Sequence, residues 1–239
     1  MELEEELRRK IAQIQPLDER AMALAKKRWD SIAHPLHSLG LLEDAIVTIA
    51  GAQGTHQVEL NKRCVTPFCA DNGVVAQGVT QSGQDVTTIV TKNFCIGEAS
   101  VCVMARVAGA DVIPVDIGVA QDVTEPGLRV HKIAYGTADI TQGPAMTREQ
   151  AADAILYGMN LVKELKEEGY RLIATGEMGI GNTTTSSALL SVLLHRPVEE
   201  MTGRGAGLSS EGLKRKIDAI HRAIEVNQPD PDDPLDTLH

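Results

Sequence analysis

The sequence predicts an α/β fold built on parallel strands, and three observations carry that prediction. Residues 171–175 form a short apolar run with the content of a buried parallel strand, which leads through Gly176, Gly179 and Gly181 into hydroxyl residues opening a helical pattern. Upstream, a strand pattern at 63–70, helical patterns and a second strand pattern at 111–119 give a strand, helix, strand order, a right-handed crossover by default. At 239 residues and 43% hydrophobic, the chain is long enough for one substantial domain with or without a small appendage.

Taken in order, Leu3, Leu7, Ile11 and Ile14 recur at helical spacing before Pro16. Asp18 then caps a second helical pattern that runs to Trp29, and these two helices read as the appendage. An apolar helix is expected from Leu41 to about Ala50, ended by a loop at 51–54. In the strand at 63–70, Pro67 cannot donate to a ladder, which favours an edge or irregular position. That strand runs into Asp71, Asn72 and Gly73, a turn signature at the carboxyl end where open parallel sheets bind ligands. Helices are expected at 85–94 and 99–107, and Asp116 falls near the end of the second strand. Asp71 and Asp116 equally suit caps of the turns that follow them. A long loop at 120–146 precedes a capping box, Thr147 with Gln150, and a helix ending near Gly169. After the glycine-rich turn, Ser209 or Ser210 caps a helix to about Val226, and the tail NQPDPDDPLDTLH has no apolar pattern.

Composition removes several function classes. A formal net charge of -10 and 3% aromatic residues argue against a nucleic-acid surface, which would need clustered cations or stacking platforms. The four cysteines, Cys64, Cys69, Cys95 and Cys102, match no CxxC pair and read as buried thiols in a reducing cytosol. The start MELEEELRRK lacks the basic and then apolar order of a signal peptide, and no apolar run reaches membrane-spanning length. The expectation is a soluble cytoplasmic protein.

The glycine turn reads as a phosphate cradle. Glycines free the backbone, and Asn182, Thr183, Thr184 and Thr185 stand where helix-initial N–H groups meet an anion. GEMGIGNT at 176–183 has the spacing of a nucleoside-triphosphate loop, but Asn182 occupies the lysine position, so the β- and γ-phosphates would lack their cation. The glycine order G-x-x-G-x-G also differs from the dinucleotide fingerprint. A single phosphate suits the loop better, with Glu177 suited to ribose hydroxyls and Lys216, in a KRK run, a candidate cation. A ligand-free strand-to-helix turn stays open at this point, as does a solvated role for the KRK run.

Ordered blocks along nearly the whole chain carry a resemblance. HPLHSLGLLE, CADNGVVAQGV, VTTIVTKNF, VDIGVA, GPAMTREQA, GEMGIGNTTTSSAL, TGRGAGLSSEGLKRK and NQPDP together resemble the nicotinate-nucleotide–dimethylbenzimidazole phosphoribosyltransferase family. The resemblance implies a Rossmann-like α/β domain with a mostly parallel sheet over 41–239, a small helical domain with 1–40 as its N-terminal contribution, and a homodimer. It implies a pentosyltransferase that moves ribose 5-phosphate from nicotinate mononucleotide to 5,6-dimethylbenzimidazole or a related base, with no cofactor and no metal. By likeness, Gly176, Glu177, Gly179, Ile180, Gly181, Asn182, Thr183 and Lys216 lie at the phosphate and ribose, with Glu177 in support of catalysis. Asp71, Ser82, Gln84 and Met178 lie toward the base.

The family's general base is a glutamate of a C-terminal segment that no residue here matches. The expectation is therefore a chain that holds nicotinate mononucleotide but turns over poorly by itself. Two other readings accompany the transferase: a non-catalytic nucleotide-binding partner subunit, and a related transferase with phenolic acceptors.

Overall fold

The structure, a computed structural model, describes residues 2–239 and divides into two compact units, Arg8–Asn61 on one hand and Lys62–His239 with the first seven residues on the other.

The unit Arg8–Asn61 is helical. It holds the end of α1 (Glu2–Ile11), α2 (Glu19–Asp30) and α3 (Leu41–Gln53). Asp18 caps α2 by accepting from the Ala21 N–H at 2.9 Å, as the sequence pattern requires. The helices approach closely because small residues face each other: Ala21, Ala25 and Ala50 are buried, and a Cβ on Gly51 would lie 2.7 Å from the Met22 side chain. In the α2–α3 connection, His34 Nε2 stands 3.3 Å from Glu43 Oε1, and the His34 ring lies 5.6 Å from that of Trp29.

The larger unit is a five-stranded, wholly parallel sheet with helices on both faces. β1 (Arg63–Ala70) is central. β5 (Leu172–Met178) pairs along one flank, from Arg63↔Leu172 to Cys69↔Met178. The other flank carries β2 (Asp111–Val112), then β3 (Val115–Gly118), with β4 (Arg129–Val130) beside β3. Alternation along β1 sends Cys64 and Phe68 to one core, with Leu161 and Leu165 of α6 (Arg148–Glu167), and Cys69 to the other. That second core includes Phe94 of α4 (Asp85–Ile96) and Cys102 of α5 (Ser100–Ala108). The capping box at Thr147 and Gln150 forms in both directions.

Several sequence expectations change. Pro67 takes the irregular of the two positions expected for it: it lies in the central strand, where the ladder beside it is broken at Ile113–Pro114, between the pairs Val65↔Val112 and Phe68↔Val115, so its missing N–H is tolerated. The same break splits the expected strand 111–119 into β2 and β3. β5 continues three residues past Thr175, which moves the start of the turn to Gly179. Four short elements lie where none was expected: a 3-10 helix at Gly73–Gln77 after β1, β4 in the long loop, α8 (Val198–Met201), and α10 (Pro234–Leu238) in the acidic tail. Asp233 caps α10, and Arg148 ties Asp233 and Asp236 to the start of α6 at 3.0 and 3.4 Å. The remaining helices are α7 (Asn182–Leu193) and α9 (Ser210–Asn227), the latter capped by Ser209.

Candidate phosphate-binding site

The site forms where the end of β5 turns into α7. Only glycine fits the turn at two places. A Cβ on Gly179 would lie 2.2 Å from the Ala70 carbonyl oxygen, and Gly181 adopts φ +94 with Val75 Cγ2 2.9 Å from where its Cβ would be. The turn folds the Asn182 and Thr184 amides back onto the Gly179 and Gly181 carbonyls, at 3.0 and 2.9 Å. Among the described residues, the amides of Gly181 and Thr183 have no such acceptor, the ordinary state of a helix N-terminus that binds an anion.

Lys216 arrives from α9. Its ammonium donates to Thr183 Oγ1 at 2.8 Å and to the Gly203 carbonyl at 3.2 Å, and the residue is 1% exposed. Both partners are neutral. Burial of a cation without a counter-charge pushes the Lys216 pKa below its ordinary value. A cavity of about 130 Å³ opens here, lined among others by Ser82, Gly181, Asn182, Thr183, Arg204 and Lys216. The arrangement suits one tetrahedral anion: a helix N-terminus, a hydroxyl and a buried ammonium converge on it.

Asn182 Nδ2 donates to Glu177 Oε2, which joins the last strand residues to the first of α7. Desolvation raises the Glu177 pKa, and the Asn182 bond opposes part of that rise.

The other sequence-named residues are placed differently. Gly176 lies within β5 opposite Pro67. Met178 packs on the core cluster of Cys69, Phe94 and Val119. Gln84 donates from Nε2 to the Asn72 carbonyl at 3.2 Å. Asp71 is fully buried; its Oδ2 accepts from the Ala120 N–H at 2.8 Å. Asp116 accepts from the Val119 N–H at 2.9 Å and pairs with Lys132 at 3.1 Å. Ile180 and Gly179 line the cavity with Ser82. Sequence reasoning named Asn72 only as part of a turn signature and did not single out Thr87 or Arg204, whose signal is contact across the fold and not spacing along the chain.

The cysteines are all unbridged, and burial raises the Cys69 thiol to about 12. Among the described residues no group of three or more His, Cys, Asp or Glu could hold a metal ion. No described helix is long and apolar enough to cross a membrane.

Fold and site together define a parallel α/β protein with a glycine-rich turn and a small cavity at the carboxyl end of its sheet, suited to a single anion. A family model described as phosphoribosyltransferase matches residues 14–239, and the chain belongs to that family. It is 47% identical over 217 residues to a nicotinate-nucleotide–dimethylbenzimidazole phosphoribosyltransferase of Acetivibrio thermocellus, covering 91% of this chain and 62% of the relative. It is 46% identical over 228 residues to one of Ruminiclostridium cellulolyticum, covering 95% and 65%. Among solved structures it is similar to CobT from Thermus thermophilus, with a TM-score of 0.85 and 39% identity over 92% of this chain and 66% of that one. The chain thus spans somewhat under two thirds of the length of these curated relatives.

Proposed function

We propose that the chain binds nicotinate mononucleotide with its phosphate in the cradle, and that it serves transfer of the phosphoribosyl group to 5,6-dimethylbenzimidazole or a related planar base. The observation that carries this reading is Lys216: a cation 1% exposed, with only neutral partners, beside two helix-initial amides that lack acceptors. Such a charge needs an anion. The named activity of the relatives supplies one.

In the transfer, the bond from the anomeric carbon to the pyridinium nitrogen breaks and nicotinate leaves. The unprotonated ring nitrogen of the benzimidazole bonds to that carbon with inversion, and the proton then leaves the other ring nitrogen. Because pyridinium is already a good leaving group, holding the phosphate and aligning the base supply most of what the protein must do. Gly179, Ile180, Gly181, Asn182, Thr183 and Lys216 form the phosphate shell. Gly176 lets β5 lie close on Pro67, and Glu177, fixed by Asn182, reaches toward ribose hydroxyls. Ser82 borders the cavity on the acceptor side; Gln84 and Met178 support that side from α4 and the core, and buried Asp71 holds the loop at Ala120. We also propose that the helices in residues 1–40 contribute to a small helical domain and that the protein is a cytoplasmic homodimer.

Among the described residues no carboxylate lines this cavity, and the cradle groups are assigned to holding the phosphate. The test is calorimetric titration of the 239-residue chain with nicotinate mononucleotide, beside an assay for α-ribazole 5′-phosphate. Binding with slow turnover is expected. Absence of binding overturns the phosphate reading, and turnover near that of a longer relative overturns the binding-only role. An acceptor panel of benzimidazoles, adenine and phenols then fixes the acceptor class.

A further inference from the structure

Ile180, in the middle of the cradle turn, has both backbone polar groups held by side chains from distant parts of the chain. Its N–H donates to Thr87 Oγ1 on α4 at 3.1 Å, and its carbonyl accepts from Asn72 Nδ2, just past β1, at 3.3 Å. Thr87 is 0% exposed and Asn72 9% exposed, so water cannot replace either partner freely. Asn72 is itself fixed. Its Oδ1 accepts from Thr185 Oγ1 of α7 at 3.3 Å, and its carbonyl accepts from Gln84 Nε2 at 3.2 Å. It also packs directly against the turn, since a Cβ on Gly179 would lie 2.8 Å from Asn72 Nδ2 and one on Gly181 3.2 Å from Asn72 Cβ.

These contacts lock the two peptide planes flanking Ile180. With the Ile180 N–H committed to Thr87, the amides of Gly181 and Thr183 are among those left for an anion. We infer that Asn72 and Thr87 are positioning residues of the phosphate site: acting through Ile180, they set the orientation in which the Gly181 and Thr183 amides meet a phosphate. The inference rests on the reading of the cradle as a phosphomonoester site. Neither residue touches the ligand; both act on the frame that does.

The test compares nicotinate mononucleotide with its phosphate-free riboside, by calorimetry on the whole chain. Thr87→Val removes the acceptor at constant shape, and Thr87→Ser keeps it. Asn72→Asp puts an acceptor opposite the Ile180 carbonyl and keeps the oxygen facing Thr185. Thr87→Val and Asn72→Asp should each weaken the mononucleotide about 10-fold, while the riboside changes by less than about 2-fold. Thr87→Ser should stay within about 3-fold of the parent chain.

Equal losses for both ligands, a serine variant as impaired as the valine variant, or unchanged mononucleotide binding would each overturn the inference. Lys216→Met, run alongside, separates the two levels. If it weakens mononucleotide binding while the Asn72 and Thr87 variants do not, only the positioning role falls. If it binds like the parent, or the parent shows no preference for the mononucleotide over the riboside, the phosphate reading falls and takes the inference with it. Should Asn72→Asp not fold, the valine and serine pair at Thr87 decides alone.

Discussion

Two lysines of the larger unit are withdrawn from water, and their surroundings differ in one respect. Lys132 has a side chain 12% exposed and meets the Asp116 carboxylate at 3.1 Å, with the Val119 and Gln121 carbonyls at 2.7 and 2.8 Å. Lys216 is more deeply buried and meets only a hydroxyl and a carbonyl. The first is a closed set that joins the end of β3 to the segment after β4. The second is an open one, and the missing counter-charge is what supports the proposed anion site. Burial alone would rank both as structural; the partner set tells them apart.

The largest expected effect tests the closed set. Lys132→Met leaves the Asp116 carboxylate buried without its cation, so the chain should lose about 3 kcal/mol of stability, read from urea unfolding. Asp116→Asn made with it should recover much of that loss, because the stranded charge disappears. Lys216→Met should do the opposite. Stability should move by less than about 1 kcal/mol, or rise, since an unpaired buried cation is removed, while mononucleotide affinity falls about 100-fold. A large loss of stability in Lys216→Met with binding retained would erase the distinction between the two lysines.

The smallest effect is in pH. The folded pKa of Lys216 lies below its ordinary value of 10.5, so near that pH the unfolded chain binds more protons than the folded one. Stability therefore rises with pH as 10.5 is approached from below, and mononucleotide affinity falls over the same range as the ammonium is lost. Urea unfolding and calorimetry at a series of alkaline pH values should show both trends in the parent chain. Neither should appear in Lys216→Met.

Much of the fold was legible because its signals are local. Asp18, the Thr147 and Gln150 pair and Ser209 cap the helices that their patterns announce, and β1 has the bounds that its apolar content suggests. Pro67 pointed to an edge or an irregular position, and the fold decides between them, because a residue's own lack of an N–H does not say whether the neighbouring strand is interrupted at the same level. β4 is too short to carry a pattern, and α10 forms because Asp233 caps it and Arg148 holds it, in a stretch whose composition reads as unstructured. The approach of Lys216 to Thr183 comes from α9 and has no local signal, whereas the tight turn between β5 and α7 was legible from its glycines and threonines. The clamp on Ile180 was not, because its partners lie 93 and 108 residues away and meet it only once the sheet has formed.

The aromatic residues are divided between the units in a way that bears on measurement. The single tryptophan, Trp29, lies in the helical unit Arg8–Asn61 beside His34, whereas all three tyrosines, Tyr135, Tyr157 and Tyr170, lie in the unit that carries the sheet. Indole emission therefore follows the helical unit alone and is blind to the cradle. An unfolding curve taken on that signal reports on a different unit from the one that carries the candidate cradle. Tyrosine absorbance is the matching channel for the sheet, and a mismatch between the two midpoints would read out directly how independently the units melt.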